Sequence, residues 1–180
     1  SKDKTLRIWD AANGTHLQTL EGHKEGMMSA AWNPAGTRIV SGSFDKTLRI
    51  WNAETGAHLQ TLEGHKEWVM SVAWNPAGTQ IVSGSTDKTL RIWDGGTGAH
   101  LQTLEGHEDE VYSVAWNPAG TRIVSGSRDK TVRIWNSSKE AATRLLDHAQ
   151  QALTGHGGAV QSIAWSPDGA SFVSGSDDNN

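Results

Sequence analysis

The sequence predicts an all-β fold assembled from four copies of one four-stranded unit, and three observations carry this. Arg-Ile-Trp ends at Trp9, Trp51, Trp93 and Trp135, each 42 residues after the last. A second tryptophan, followed by Asn-Pro-Ala-Gly or Ser-Pro-Asp-Gly, stands at Trp32, Trp74, Trp116 and Trp165. Gly-His recurs at Gly22-His23, Gly64-His65, Gly106-His107 and Gly155-His156. A fixed period of a few tens of residues marks one supersecondary unit that buries its apolar faces against its neighbours.

The elements of the unit are clearest in residues 65–106. Strand a, Val69–Trp74, is rich in β-branched and aromatic residues and stops at the turn residues Asn75-Pro76-Ala77-Gly78. Strand b, Gln80–Ser85, runs into the turn Thr86-Asp87-Lys88. Strand c, residues 89–93, alternates polar and apolar side chains up to Trp93. A loop carrying Gly98 leads to strand d, His100–Leu104, and Gly106-His107 opens the next unit. Short strands in fours, marked by Gly-His and Trp-Asp, are the pattern of a β-propeller blade.

The units divide one domain, residues 1–180, into about 1–22 (strands c and d), 23–64, 65–106, 107–155 and 156–180 (strands a and b). Residues 23–64 and 65–106 differ at only eight of 42 positions, which points to recent duplication or design. Seven residues are inserted between Trp135 and His156, within 137–151. Residues 140–151 are mostly helix formers, with Ala141, Leu145 and Ala149 on one face, and predict a long c–d loop with a helical turn.

Composition removes several function classes. Sixteen basic against twenty acidic residues give a net charge of −4 with no basic block, so neither nucleic acid nor an anionic membrane is expected as partner. The recurring Lys46, Arg49, Lys88, Arg91, Lys130 and Arg133 read as a solvated edge of strand c. No apolar run approaches the ~18 residues of a membrane span, and the polar start Ser1-Lys2-Asp3-Lys4 lacks the pattern of a signal peptide. Without cysteine there is no disulfide or thiolate chemistry, and a cytoplasmic location is expected. Seven of the eight histidines follow the period (the Gly-His set with His16, His58 and His100), and no pair has helical metal-ligand spacing. No metal and no cofactor are expected. His65, Ser83 and Asp87 have the composition of a hydrolase triad, but the set recurs in every unit and no nucleophile elbow accompanies it. The chain is therefore read as no enzyme.

From Gly-His through Ser-Gly-Ser-x-Asp-Lys-Thr to Arg-Ile-Trp-Asp/Asn, the chain resembles the WD40 family over essentially its whole length. The resemblance implies a closed ring of blades with strand a innermost. It also implies a His–Ser–Asp–Trp hydrogen-bond network tying the d–a loop to strands b and c. The matching residues are His23, Ser41, Asp45, Trp51; His65, Ser83, Asp87, Trp93; and His107, Ser125, Asp129, Trp135. A fourth set joins His156, Ser174 and Asp178 to Trp9 across chains, with Asp3 competing for the place of Asp178. Four blades are few for such a ring. Strands c and d at one end and a and b at the other lead us to expect a homodimer: an eight-bladed ring of two chains, two of its blades shared. The alternative is that these repeats belong to a longer array.

Against the near-identical background, three positions per unit change character. Three residues after the histidine stand Gly26, Trp68, Glu110 and Ala159; five after it, Met28, Met70, Tyr112 and Gln161; before the turn aspartate, Phe44, Thr86, Arg128 and Asp177. A purely structural position keeps its residue type, and these gain aromatic, Met and Arg side chains, the types enriched at binding hot spots. In the WD40 family they resemble the partner-contacting positions at the end where d–a loops and b–c turns meet. The resulting expectation is a non-catalytic scaffold that binds a protein or peptide on that face. The alternative is a purely structural, self-assembling repeat protein with no external ligand.

Overall fold

In a computed structural model, residues 2–137 and 149–178 are described, and all their regular structure is strand. β1 (Thr5–Trp9) and β2 (His16–Glu21) form a two-stranded antiparallel sheet. Three four-stranded sheets follow. The first holds β3 (Met27–Trp32), β4 (Arg38–Ser43), β5 (Leu48–Asn52) and β6 (His58–Leu62); the second β7 (Val69–Trp74), β8 (Gln80–Ser85), β9 (Leu90–Asp94) and β10 (His100–Leu104). The third holds β11 (Val111–Trp116), β12 (Arg122–Ser127), β13 (Val132–Asn136) and β14 (Ala149–Leu153). β15 (Val160–Trp165) and β16 (Phe172–Ser176) close the order as a second pair.

Each complete sheet is a blade, ordered a-b-c-d, and strand a of one blade packs against strand a of the next along β3, β7, β11 and β15. The core lies between blades. Val40, Leu48, Ile50 and Leu62 of one blade join Val69, Val72, Trp74, Ile81 and Trp93 of the next in one buried cluster. Val82, Leu90, Ile92 and Leu104 repeat the arrangement with Val111, Val114, Trp116, Ile123 and Trp135. Fully burying one such side chain contributes about 1.5–3 kcal/mol, so the blades hold one another. Strand b must be thin to allow this approach. A Cβ placed on Gly84 would lie 2.8 Å from Cγ1 of Val111 and 2.9 Å from Cγ1 of Val114. Two polar stitches cross the same seams: the Val72 N–H donates to Ser29 Oγ and the Val114 N–H to Ser71 Oγ, each at 3.2 Å.

Two expectations change. Ala149 and its neighbours in β14 are strand, since Ile134 pairs with Gln151 and Trp135 with Ala149; ladder pairing with β13 overrides the helical preference there. The remainder of the expected helical turn, residues 138–148, lies outside the described residues. Strand c begins one residue later than the pattern suggested, at Leu90. Thr89 is held by the turn, its N–H and Oγ1 both donating to Asp87 Oδ1 at 3.0 and 2.7 Å.

Candidate interaction face and buried networks

The b–c turn organises both features. In Ser85-Thr86-Asp87-Lys88-Thr89, the Asp87 N–H donates to Ser85 Oγ at 3.0 Å and the Lys88 N–H to the Ser85 carbonyl at 3.2 Å. Lys88 then takes the left-handed conformation, φ 72°, as do Lys4, Lys46 and Lys130 at 64°, 70° and 68°. With Asp87 Oδ1 occupied by Thr89, Oδ2 accepts from the Lys66 N–H at 2.9 Å and from His65 Nδ1 at 2.8 Å. His65 Nε2 lies 2.7 Å from Ser83 Oγ, which accepts from Trp93 Nε1 at 2.9 Å.

The geometry repeats. His23 reaches Asp45 at 2.8 Å and Ser41 at 2.7 Å, and Trp51 donates to Ser41 at 2.9 Å. His107 reaches Asp129 and Ser125, both at 2.7 Å, and Trp135 donates to Ser125 at 2.8 Å. The fourth set is looser. His156 Nε2 lies 2.8 Å from Ser174 Oγ, and Nδ1 lies 3.4 Å from Asp178. It is Asp178 that faces His156 within the chain, while Asp3 accepts from the Thr5 N–H at 3.1 Å. Trp9 is 53 % exposed.

Burial lowers the His23 pKa, outweighing the pull of Asp45. Burial also works against ionised Asp45, but hydrogen bonds from Thr47, His23 and the Lys24 N–H hold it at about 2. For Asp87 and Asp129 burial is likewise overcome, chiefly by the paired histidine and threonine, and both lie well below the usual carboxylate range. The order Trp–Ser–His–Asp shares the connectivity of a hydrolase triad. Its serines Ser41, Ser83 and Ser125 are nevertheless wholly buried, and each hydroxyl oxygen is already taken by an indole N–H, so no carbonyl carbon can reach them.

At the same end, the variable positions meet in pairs. The Phe44 N–H donates to the Gly26 carbonyl at 2.9 Å, Thr86 to Trp68 at 3.0 Å, Arg128 to Glu110 at 2.9 Å and Asp177 to Ala159 at 3.1 Å. Phe44 and Trp68 also meet across the step between blades, their ring centroids 4.6 Å apart and tilted by 50°. Trp68 is 47 % exposed; Met28, Arg128 and Gln161 are exposed too, while Phe44, Met70, Thr86, Glu110 and Tyr112 are half-buried. Gly26 is buried, so it presents no surface to a partner. One blade further on, the surface is polar. Tyr112 donates to Glu110 Oε2 at 2.6 Å, and Arg128 lies 3.6 Å from Glu110 and 3.8 Å from Asp109. Burial and the neighbouring Glu110 carboxylate push the Tyr112 hydroxyl up to about 12.

Sequence reading missed the work of the strand c cations. Lys46 reaches Glu67 at 3.2 Å, and Lys88 Nζ donates to the Glu108 carbonyl at 2.9 Å, each fastening a b–c turn to the next blade's d–a loop. Arg49 and Arg91 are half-buried and lie over the rings of Trp51 and Trp93, at 5.9 and 6.0 Å. The signal was present: lysine recurs after the turn aspartate, and an acidic residue recurs two places after the histidine, at Glu25, Glu67 and Asp109.

The family model for the WD domain, G-beta repeat, matches residues 14–52, 56–94, 98–136 and 148–180. The chain is 47% identical over 45 residues to WD repeat-containing protein 25 of Mus musculus, a match covering 24% of this chain and 8% of that protein. It is 44% identical over 41 residues to nuclear distribution protein PAC1 of Mycosarcoma maydis, covering 23% of this chain and 9% of the relative. The matched stretch is thus less than a tenth of the length of either relative.

Proposed function

The chain belongs to the WD40 family, and from that premise we propose that it is a non-catalytic scaffold that binds a protein or peptide on the face formed by its d–a loops and b–c turns. Repeats of this family generally mediate protein–protein interaction. The observation that carries the reading is the Phe44–Trp68 pair, an exposed aromatic contact spanning two blades on hydrogen-bonded turns. Aromatic and arginine side chains on a rigid frame bind with little ordering entropy lost. The partner places an apolar side chain against Met28, Phe44, Trp68 and Met70, and polar groups against Glu110, Tyr112, Arg128, Thr86 and Gln161. The His–Ser–Asp–Trp sets act as ties within blades, beneath that face.

The core clusters run from blade to blade, which supports one domain across the repeats. Two chains, each with three complete blades and two half-blades, join head to tail into an eight-bladed ring. The binding reading is tested with peptides selected from a random display library on the parent chain. Replacing Phe44, Trp68 and Arg128 together by alanine lowers the affinity of the selected peptides at least tenfold with an unchanged far-ultraviolet dichroism spectrum. Equal affinity in the triple variant, or failure to select any peptide, overturns the assignment and favours self-assembly without a ligand.

A further inference from the structure

The two ends of the chain carry matching halves of one blade. Ser174 has its histidine but, among the described residues, no tryptophan opposite it, whereas Ser41, Ser83 and Ser125 each have one. Trp9 is 53 % exposed, against 1 % or less for Trp51, Trp93 and Trp135 in the same motif. Gly22, Gly64 and Gly106 each lie against the arginine and tryptophan of a strand c, while Gly155 faces open space. Trp32 is 51 % exposed where Trp74 and Trp116 are 8 %, because those two rest on the preceding blade near Ala31 and Ala73.

The missing pieces have a place to go. A cleft of about 280 Å³ opens between β1 and β3, lined by Leu6, Ile8, Trp9, Ala31 and Trp32. Among the described residues β1 pairs only with β2, and β16 only with β15, so each presents one edge with no described partner, the template for strand addition.

Resting on the two-chain ring proposed above, we infer that the β15–β16 hairpin of a second copy fills this cleft, with β16 adding antiparallel to β1. The register follows from the complete blades, where Ile39 faces Trp51, Val40 faces Ile50 and Ser41 faces Arg49. Carried to the ends by the repeat, Phe172 stands opposite Trp9 of the second copy, Val173 opposite its Ile8 and Ser174 opposite its Arg7. The fourth network is then complete, with Trp9 Nε1 of the second copy donating to Ser174 Oγ. Val173, 67 % exposed in the single chain, takes the buried place of Val40, Val82 and Val124. Trp32 comes to rest on Ala164 of the second copy, as Trp74 rests near Ala31. Each chain offers one cleft and one hairpin, so two contacts close the pair and leave neither edge free.

The chain has no cysteine, so introduced thiols report on contact alone. Native mass spectrometry of the parent chain at micromolar concentration gives twice 19.4 kDa, and its tryptophan emission shifts to the blue as concentration rises and Trp9 and Trp32 are covered. Ile8→Cys and Val173→Cys, mixed and oxidised, give a disulfide-linked pair on a non-reducing gel, and neither variant alone does. Leu6→Cys mixed with Val173→Cys gives none. A mass of 19.4 kDa with concentration-independent emission overturns both the ring and the register. A parent dimer in which Ile8→Cys and Val173→Cys fail to link, or in which Leu6→Cys links as readily, overturns the register and leaves the ring standing. A ladder of masses beyond the pair overturns ring closure.

Discussion

His65 Nε2 and Ser83 Oγ stand 2.7 Å apart with both side chains shut off from solvent, and their surroundings fix which one carries the proton. The Asp87 carboxylate can only accept, so Nδ1 bears the ring hydrogen. Trp93 occupies the serine oxygen as donor, so the hydroxyl hydrogen points at Nε2. A neutral imidazole satisfies every group in the row. A protonated one sets two hydrogens against each other, with only the Arg91 carbonyl at 3.5 Å as an alternative for the hydroxyl.

Removing one member of such a row strands the rest. In Asp87→Ala, His65 Nδ1 and the Lys66 N–H lose their acceptor, as does the Thr89 hydroxyl. Buried polar groups left unpaired cost about 1–3 kcal/mol. At this chain length that corresponds to roughly 3–10 °C in Tm. Differential scanning calorimetry measures it, and an unchanged Tm contradicts the role given to the network.

Acid acts on the matching row of the preceding blade, His23–Ser41–Asp45. The His23 pKa lies below its ordinary value because burial disfavours the charged ring. As pH falls past ~6.5 the unfolded chain therefore takes up a proton before the native one does, and stability drops. Asp45 adds a second stage. Its native pKa of about 2 lies below the ordinary 3.8, so its contribution is full above 3.8 and is lost as pH falls toward 2. Thermal melts between pH 8 and 2 thus show a plateau near neutrality and a two-stage decline. Asp45→Asn makes the lower stage shallower and leaves the share of Asp87 and Asp129 in place. A Tm that rises on acidification contradicts this assignment.

The blades were legible because every unit repeats its own turn chemistry: Asn-Pro-Ala-Gly, then Asp-Lys-Thr, then Gly-His. What lay between units was not. Trp9 and Trp51 occupy one motif, yet one is 53 % exposed and the other 1 %, because exposure depends on the neighbouring strand and not on the motif. Phe44 and Trp68 lie in different repeats, and their contact becomes visible only once blades are placed side by side. The strand c arginines looked solvated because alternation places them away from Leu48 and Ile50. The aromatic plane that receives Arg49 belongs to Trp51, two residues on. In β14, strand pairing with β13 decided the conformation of Ala149 against its own propensity.

Gly84 marks one of the close approaches between blades. Alanine there would set its Cβ against Val111 and Val114 of the next blade, in a cluster with no slack. Overpacking of this kind costs about 1–3 kcal/mol. Gly36, at φ 68° with nothing within 4 Å of where a Cβ would stand, is a control with a different physical origin: Gly36→Ala loses stability through backbone strain alone. In a Val111→Ala background Gly84→Ala costs less than it does in the parent, whereas Gly36→Ala costs the same. Denaturant unfolding of the three single and two double variants checks this, and additive losses for Gly84 and Val111 contradict the contact.

Lys130 is held at φ 68°, a conformation that costs a residue with a Cβ on the order of 1 kcal/mol. Its N–H donates to the Ser127 carbonyl and its backbone turns Asp129 toward His107, so the strain serves the network below. Glycine adopts this conformation freely but also loosens the unfolded chain, which offsets part of the relief. Lys130→Gly therefore leaves stability equal or higher by up to about 1 kcal/mol. Lys130→Val, whose branched Cβ resists the left-handed region, lowers it by at least about 1 kcal/mol. The two substitutions remove the same charge, yet only Lys130→Val lowers the melting temperature. That separates backbone geometry from electrostatics in a single pair of scanning calorimetry traces, and equal losses in both variants would assign the position to its charge.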